Sequence, residues 1–154
     1  MNTTALRNAY DDLLAAAETP SSPPPPGEWD HDHPLAHLIS VDANITAVAL
    51  AVTSGERTTY DNRISLDHWN LDRLVSVAGG TSELLERVRH HGELLCTVAD
   101  RLDDSDLQVM VPTLILSNDK VMLDQPIPLR ALIKGLAEVH IPSHTDQLRA
   151  LHPA

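Results

Sequence analysis

Helices packed on helices are the architecture that this sequence predicts, and three observations carry the prediction. The chain has 154 residues, 42% of them apolar, yet only 3% are aromatic and Phe is absent. Its core must therefore be aliphatic, built from Leu, Val, Ile and Ala, and a chain of this length suits one domain, residues 1–154. Apolar residues recur in steps of three and four rather than two. The longest such seam runs from Leu71 through Leu74, Ala78, Val88 and Leu95 to Leu102 without slipping. A sustained seam of that kind is the packing of an all-α four-helix bundle.

The elements follow in order. Leu6, Tyr10, Leu13, Leu14 and Ala17 fall at helical spacing and predict a first helix over roughly 4–18. From Thr19 to Gly27 the chain carries Pro20 and the run Pro23-Pro24-Pro25-Pro26, which excludes helix and central strand and predicts an extended connection. A second helix is expected from about His33, with Asp32 as N-cap and Pro34 in the first turn, ending at Ser54-Gly55. It is apolar over most of its circumference, as a central helix would be. The unbroken phase across Gly79-Gly80 predicts a single long third helix. Alternation at Leu107, Val109 and Val111, the turn signal Ser117-Asn118-Asp119, and alternation at Val121 and Leu123 predict a short or irregular β-hairpin crossover. A last helix is expected from near Pro128 to about Arg149.

The balance of charge narrows the partners. A formal net charge of −11 argues against nucleic acid or an anionic membrane, because phosphate binding needs clustered Lys and Arg. A single cysteine, Cys96, excludes an internal disulfide. Met1–Tyr10 lacks the apolar run of a signal peptide, and Ile45–Val52 is too short to cross a bilayer, so a cytoplasmic protein is expected.

The chemistry rests on histidines. His140 and His144 continue the four-residue row Leu132, Leu136, so both imidazoles are expected to point inward. Buried imidazoles need partners, and two of them four apart on one helix face can converge on one ion. His37, on the edge of the second helix's apolar face, is the natural third ligand. Pro142 deletes the hydrogen bond to the Glu138 carbonyl and should kink the helix between the two rings. His31 and His33 fall at the start of the second helix and are read as entrance residues. Asp42, Glu138 and Asp146 are candidates for orienting the rings, and the sequence does not choose among them. No Gly-rich phosphate loop and no serine-nucleophile elbow occurs.

Trp29, then Ala36-His37-Leu38-Ile39, then His140-x-x-x-His144-x-x-Gln147-Leu148, resembles the signature layout of the DinB-like metal-dependent proteins, which include mycothiol-dependent maleylpyruvate isomerases and bacillithiol transferases. The resemblance covers nearly the whole chain. It implies an up-down-down-up four-helix bundle, often dimeric, and a divalent ion, most often zinc or nickel, held by His37, His140 and His144. It further implies a low-molecular-weight thiol as cofactor, a small electrophile as co-substrate, and S-transfer or isomerisation as the activity. The sequence ends at Ala154 and is expected to lack the extra C-terminal domain of the mycothiol-dependent isomerases, which leaves a general thiol-transfer role open. A metal-dependent hydrolase and a non-enzymatic metal-binding stress-response bundle are the alternatives.

Overall fold

The computed structural model describes residues 1–19 and 21–153. Pro20, within the proline-rich connection, and Ala154, the last residue of the expected domain, lie outside them. The described residues are mostly helical, with a small three-stranded sheet.

Helix α1 spans Thr4–Ala17 and buries Leu6, Tyr10, Leu13 and Leu14, the row its spacing predicts. Helix α2, Asp32–Thr53, begins close to the expected place, but its cap differs. Asp32 already lies in the first turn. The Asp30 carboxylate instead accepts the backbone N–H groups of Asp32 and His33 at 3.0 and 3.1 Å. By length and composition α2 could cross a membrane, yet 72% of its most apolar window is buried inside the fold, as in a core helix. It packs along helix α5, Thr81–Arg101, while α1 packs on α5 and on the last helix. Residues 21–31 form no helix or strand and are tied to the far end of the chain by Ser22 N–H donating to the Leu151 carbonyl at 2.6 Å.

Three elements after α2 escaped the sequence reading. Strand β1, Tyr60–Asp61, pairs in parallel with the later hairpin. The single turn α3, Arg63–Leu66, follows it and fully buries Ser65. The short helix α6, Asp104–Gln108, is set by a capping box between Asp103 and Asp106.

The predicted continuous third helix is two helices: α4, His68–Ala78, and α5, Thr81–Arg101. Gly79 takes φ +82° and closes α4 with its N–H on the Val75 carbonyl, the left-handed C-cap for which glycine is favoured. Gly80 is extended and cannot continue the helix. The apolar seam is blind to this break because it resets almost in phase: α5 buries Leu84, with Leu85 only partly covered, and then Val88, Leu95 and Ala99.

The crossover is a hairpin, as expected, though longer than the alternation suggests. Strand β2, Met110–Ser117, pairs antiparallel with β3, Lys120–Pro128, and β1 flanks β2 in the order β1-β2-β3. Asn118 and Asp119 both have positive φ, 49° and 59°, which is the two-residue turn whose twist matches a hairpin.

The last helical stretch starts where expected, with α7 at Leu129–Gly135 and α8 at Ile141–Ala150. Between them Leu136–His140 forms a π-helical turn, in which the Ile141 N–H reaches back five residues to the Leu136 carbonyl. Pro142, which has no N–H to offer Glu138, sits just beyond. The proline is thus accommodated by a widened turn, one of the recognised ways a helix absorbs a lost bond.

That turn corrects the inward row. Leu129, Leu132, Ile133 and Leu136 are buried, but the next buried positions are Ile141, Thr145 and Leu148, not His140 and His144. The step from Leu136 to Ile141 is five residues. One extra residue rotates the rest of the helix by about 100° relative to a plain α-helix. Ile141 takes the core place, and the two imidazoles move to the half-buried flank of the row.

Candidate metal centre

His37, His140 and His144 each present one ring nitrogen, and these three atoms lie within 4.8 Å of one another. His37 comes from the second turn of α2 and is 2% exposed. His140 closes the π-helical turn, and His144 follows one turn into α8. The ring centroids are 4.7–5.1 Å apart.

The protons on two of the rings are fixed by their neighbours. His37 Nδ1 donates to the Ser65 carbonyl at 2.6 Å, which leaves Nε2 as a lone pair facing the cluster. His144 Nδ1 donates to Gln147 Oε1 at 2.9 Å, with the same result for its Nε2. Outward partners of this kind set the tautomer and aim of metal-binding imidazoles. Ser65 is itself held in place: its Oγ meets Ser40 Oγ at 2.9 Å and accepts from Asn44 at 3.2 Å, and Asn70 reaches Ser40 at 3.3 Å. A polar network across α2, α3 and α4 thus sets the carbonyl that sets His37.

All three rings are held neutral. Burial, with lesser contributions from its two neighbouring histidines, pushes His140 down to about 3. Burial, and next the proximity of His144, pushes His37 down to about 4 against the opposing pull of the Ser65 carbonyl. Burial also lowers His144, against the opposing bond to Gln147. Neutral imidazole is the form that ligates metal.

The candidates for orienting the rings are placed elsewhere. Asp42 lies fully buried and accepts the Tyr10 hydroxyl at 2.6 Å, with no hydrogen bond to the histidines. Glu138 pairs with Lys134 and Asp146 with Arg149, both on the outer face. Their roles fall to Ser65 and Gln147. A backbone carbonyl carries no sequence signal. Gln147 had one: it stands three residues after His144, within reach on the same helix face.

Trp29 covers the edge between two of the rings. Its indole centroid is 5.4 Å from that of His37 and 6.4 Å from that of His144, and the His144 ring lies within 10° of parallel to it. His33 is not a ligand. Its Nδ1 meets Asp30 at 2.7 Å and its Nε2 meets Asp72 at 3.0 Å. Partial burial opposes charge on this ring, but the two carboxylates prevail and raise its pKa. His31 faces away, with Nε2 on the Ala17 carbonyl at 2.9 Å. It lines a cavity of about 620 Å³ with Glu18, Asp30, Asp32 and Thr81, and none of the three clustered histidines lines that cavity.

The donor set fits a divalent ion. Two ligands at Zn–N distances of about 2.0–2.1 Å around a tetrahedral ion stand about 3.3 Å apart. His37 Nε2 and His140 Nε2 are 3.2 Å apart. Three neutral nitrogens leave an ion's charge uncompensated and a position open, the pattern of catalytic rather than structural sites. No protein-family model, characterised protein or solved structure matches this chain.

Proposed function

We propose that this chain is a metal-dependent enzyme of the DinB-like kind, a four-helix bundle of α1, α2, α5 and the helix of residues 129–150. It holds zinc or nickel on His37, His140 and His144 and uses a low-molecular-weight thiol for S-transfer to, or isomerisation of, a small electrophile. A cytoplasmic location and a homodimer belong to the same proposal. The single observation that supports it is the convergence of three neutral imidazoles, two of them with tautomers set from behind by Ser65 and Gln147. A divalent ion bound there would supply Lewis acidity, lowering the pKa of a thiol or water in the open position. The chain's own part is to hold the rings, keep them neutral and limit water at the flank beneath Trp29. No thiol of the chain competes for the position: Cys96 is buried in the core on α5, and burial pushes it up to about 11.

Cobalt-substituted protein titrated with 2-mercaptoethanol tests the thiol step, because sulfur ligation adds a strong charge-transfer absorption. The expected result is that band, saturable and absent from His140→Ala. An unperturbed spectrum, together with hydrolysis of a simple ester or amide, replaces the transferase with a hydrolase. A second reading, a metal-binding bundle without catalysis, is favoured by one observation: the cavity beside His31 and Asp32 does not reach the cluster. One metal per chain with neither thiol binding nor hydrolysis is the outcome that selects it.

A further inference from the structure

We propose that Trp29 is a fixed roof over the histidine cluster and determines which ligands reach it, an inference that rests on the metal reading above. Two features support it. The indole lies against two of the three rings, half-buried, on the edge between His37 and His144. It also belongs to a stretch without helix or strand, yet the residue after it is secured three times. Asp30 accepts the N–H groups of Asp32 and His33 and the Nδ1 of His33, all on Oδ1. The other nitrogen of His33 is bound to Asp72 on α4. Carboxylates on both ring nitrogens make His33 a bracket between the roof's anchor and a neighbouring helix. The roof therefore stays where it is set, and a ligand must fit beneath or beside it.

The chemistry of this edge defines what fits. Asp30 and Asp72 are the charged groups around the bracket, offset by a single His33, and no Lys or Arg joins them in these hydrogen bonds or ion pairs. A carboxylate-rich chelator meets like charge and a bulky indole. A slim, uncharged monodentate ligand meets neither obstacle. The roof thus selects small uncharged thiols over anionic or branched ones.

The test uses the chain's two tryptophans. Trp69 is 72% exposed and, among the described residues, stacks on none of the clustered histidines, so Trp69→Phe leaves Trp29 as the sole tryptophan emitter. Titrating that variant with nickel should quench the emission, with an end point at one ion per chain. In the same background, Trp29→Phe should strip to EDTA at nearly the parent's rate, measured by metal release. Trp29→Ala should strip about tenfold faster, in line with the usual effect of removing groups that support a metal site. Asp72→Asn, an exposed change that keeps the fold, should strip several-fold faster and decides the matter if Trp29→Ala does not fold. Nickel bound at one per chain without quenching, or stripping rates unchanged in the folded variants, overturns the roof and leaves the metal reading standing. Absence of nickel binding in the parent overturns both.

Discussion

His37 Nε2 and His140 Nε2 face each other across 3.2 Å, although both rings are neutral. Because His37 carries its proton on Nδ1, toward Ser65, the hydrogen between the two must belong to His140. Among the described residues the Nδ1 of His140 has no hydrogen-bond partner. Metal binding then requires only that His140 move its proton from one nitrogen to the other, with no ring left charged.

That relationship makes the cluster sensitive from behind as well as in front. His140→Ala and His144→Ala should each lose most bound metal, because two imidazoles hold an ion poorly. Gln147→Leu keeps all three ligands but frees the His144 ring to turn. It should weaken metal binding about 10- to 100-fold. Elemental analysis after dialysis against a weak chelator measures both; full occupancy in the two alanine variants would refute the triad.

Acid should destabilise the metal-free protein through these same rings. In the unfolded chain each histidine takes up a proton near pH 6.5. In the folded chain His37 and His140 resist until about 4 and 3. Between those limits the unfolded state binds more protons, so stability falls as pH drops from about 6.5 towards 4. Each such group can contribute up to about 1.4 kcal/mol per pH unit within its window. Thermal melts of chelator-treated protein across this range should show the decline, and His140→Gln should make it shallower.

Asp42 pulls the other way. Burial drives its pKa up to about 7, only partly offset by the Tyr10 hydroxyl, and among the described residues its buried Oδ2 has no partner. Here the folded state holds a proton that the unfolded state releases near pH 3.9. Stability from this group is complete below about 4 and is lost as pH rises to about 7. Asp42→Asn should therefore melt higher than the parent at pH 8, with the advantage shrinking by pH 5. Tyr10→Phe, which strips the carboxyl of its one hydrogen bond, should cost about 1–3 kcal/mol.

Two glycines in helices should respond in opposite senses to alanine. A Cβ on Gly92 would lie 3.0 Å from three carbons of the Tyr10 ring, and that ring is pinned through its hydroxyl to Asp42. Overpacking of about 1–3 kcal/mol should exceed the gain in helix propensity of about 1 kcal/mol. Gly135→Ala meets nothing within 4 Å, so it should gain roughly that 1 kcal/mol. Denaturant titrations of the two variants check the contrast.

The three clustered histidines were legible in the sequence, and the Ser65 carbonyl behind His37 was not. Histidines four apart, and a third on an apolar helix, announce themselves by spacing. The carbonyl of Ser65 is a backbone atom on a turn, α3, too short to leave a periodic trace. The break at Gly79-Gly80 was hidden because the seam on either side keeps nearly the same phase, and only the left-handed Gly79 and the extended Gly80 separate α4 from α5. Strand β1 has two residues and exists through pairing with a strand about fifty positions later, information that local pattern does not hold. Pro142 did signal a disturbance, but whether a helix answers a missing N–H by bending or by widening is decided by packing on both sides.

The widened turn at Leu136–His140 has a consequence for how this segment is compared with others. It behaves as a one-residue insertion within a helix: the inward face before it and the inward face after it belong to the same row only if one position is skipped. A gap-free pattern laid over residues 132–148 therefore matches His140 to a place that packing gives to Ile141. A chain with an unbroken α-helix here would align with a single gap near Ala137, and its inward positions would then fall into step with those of this chain.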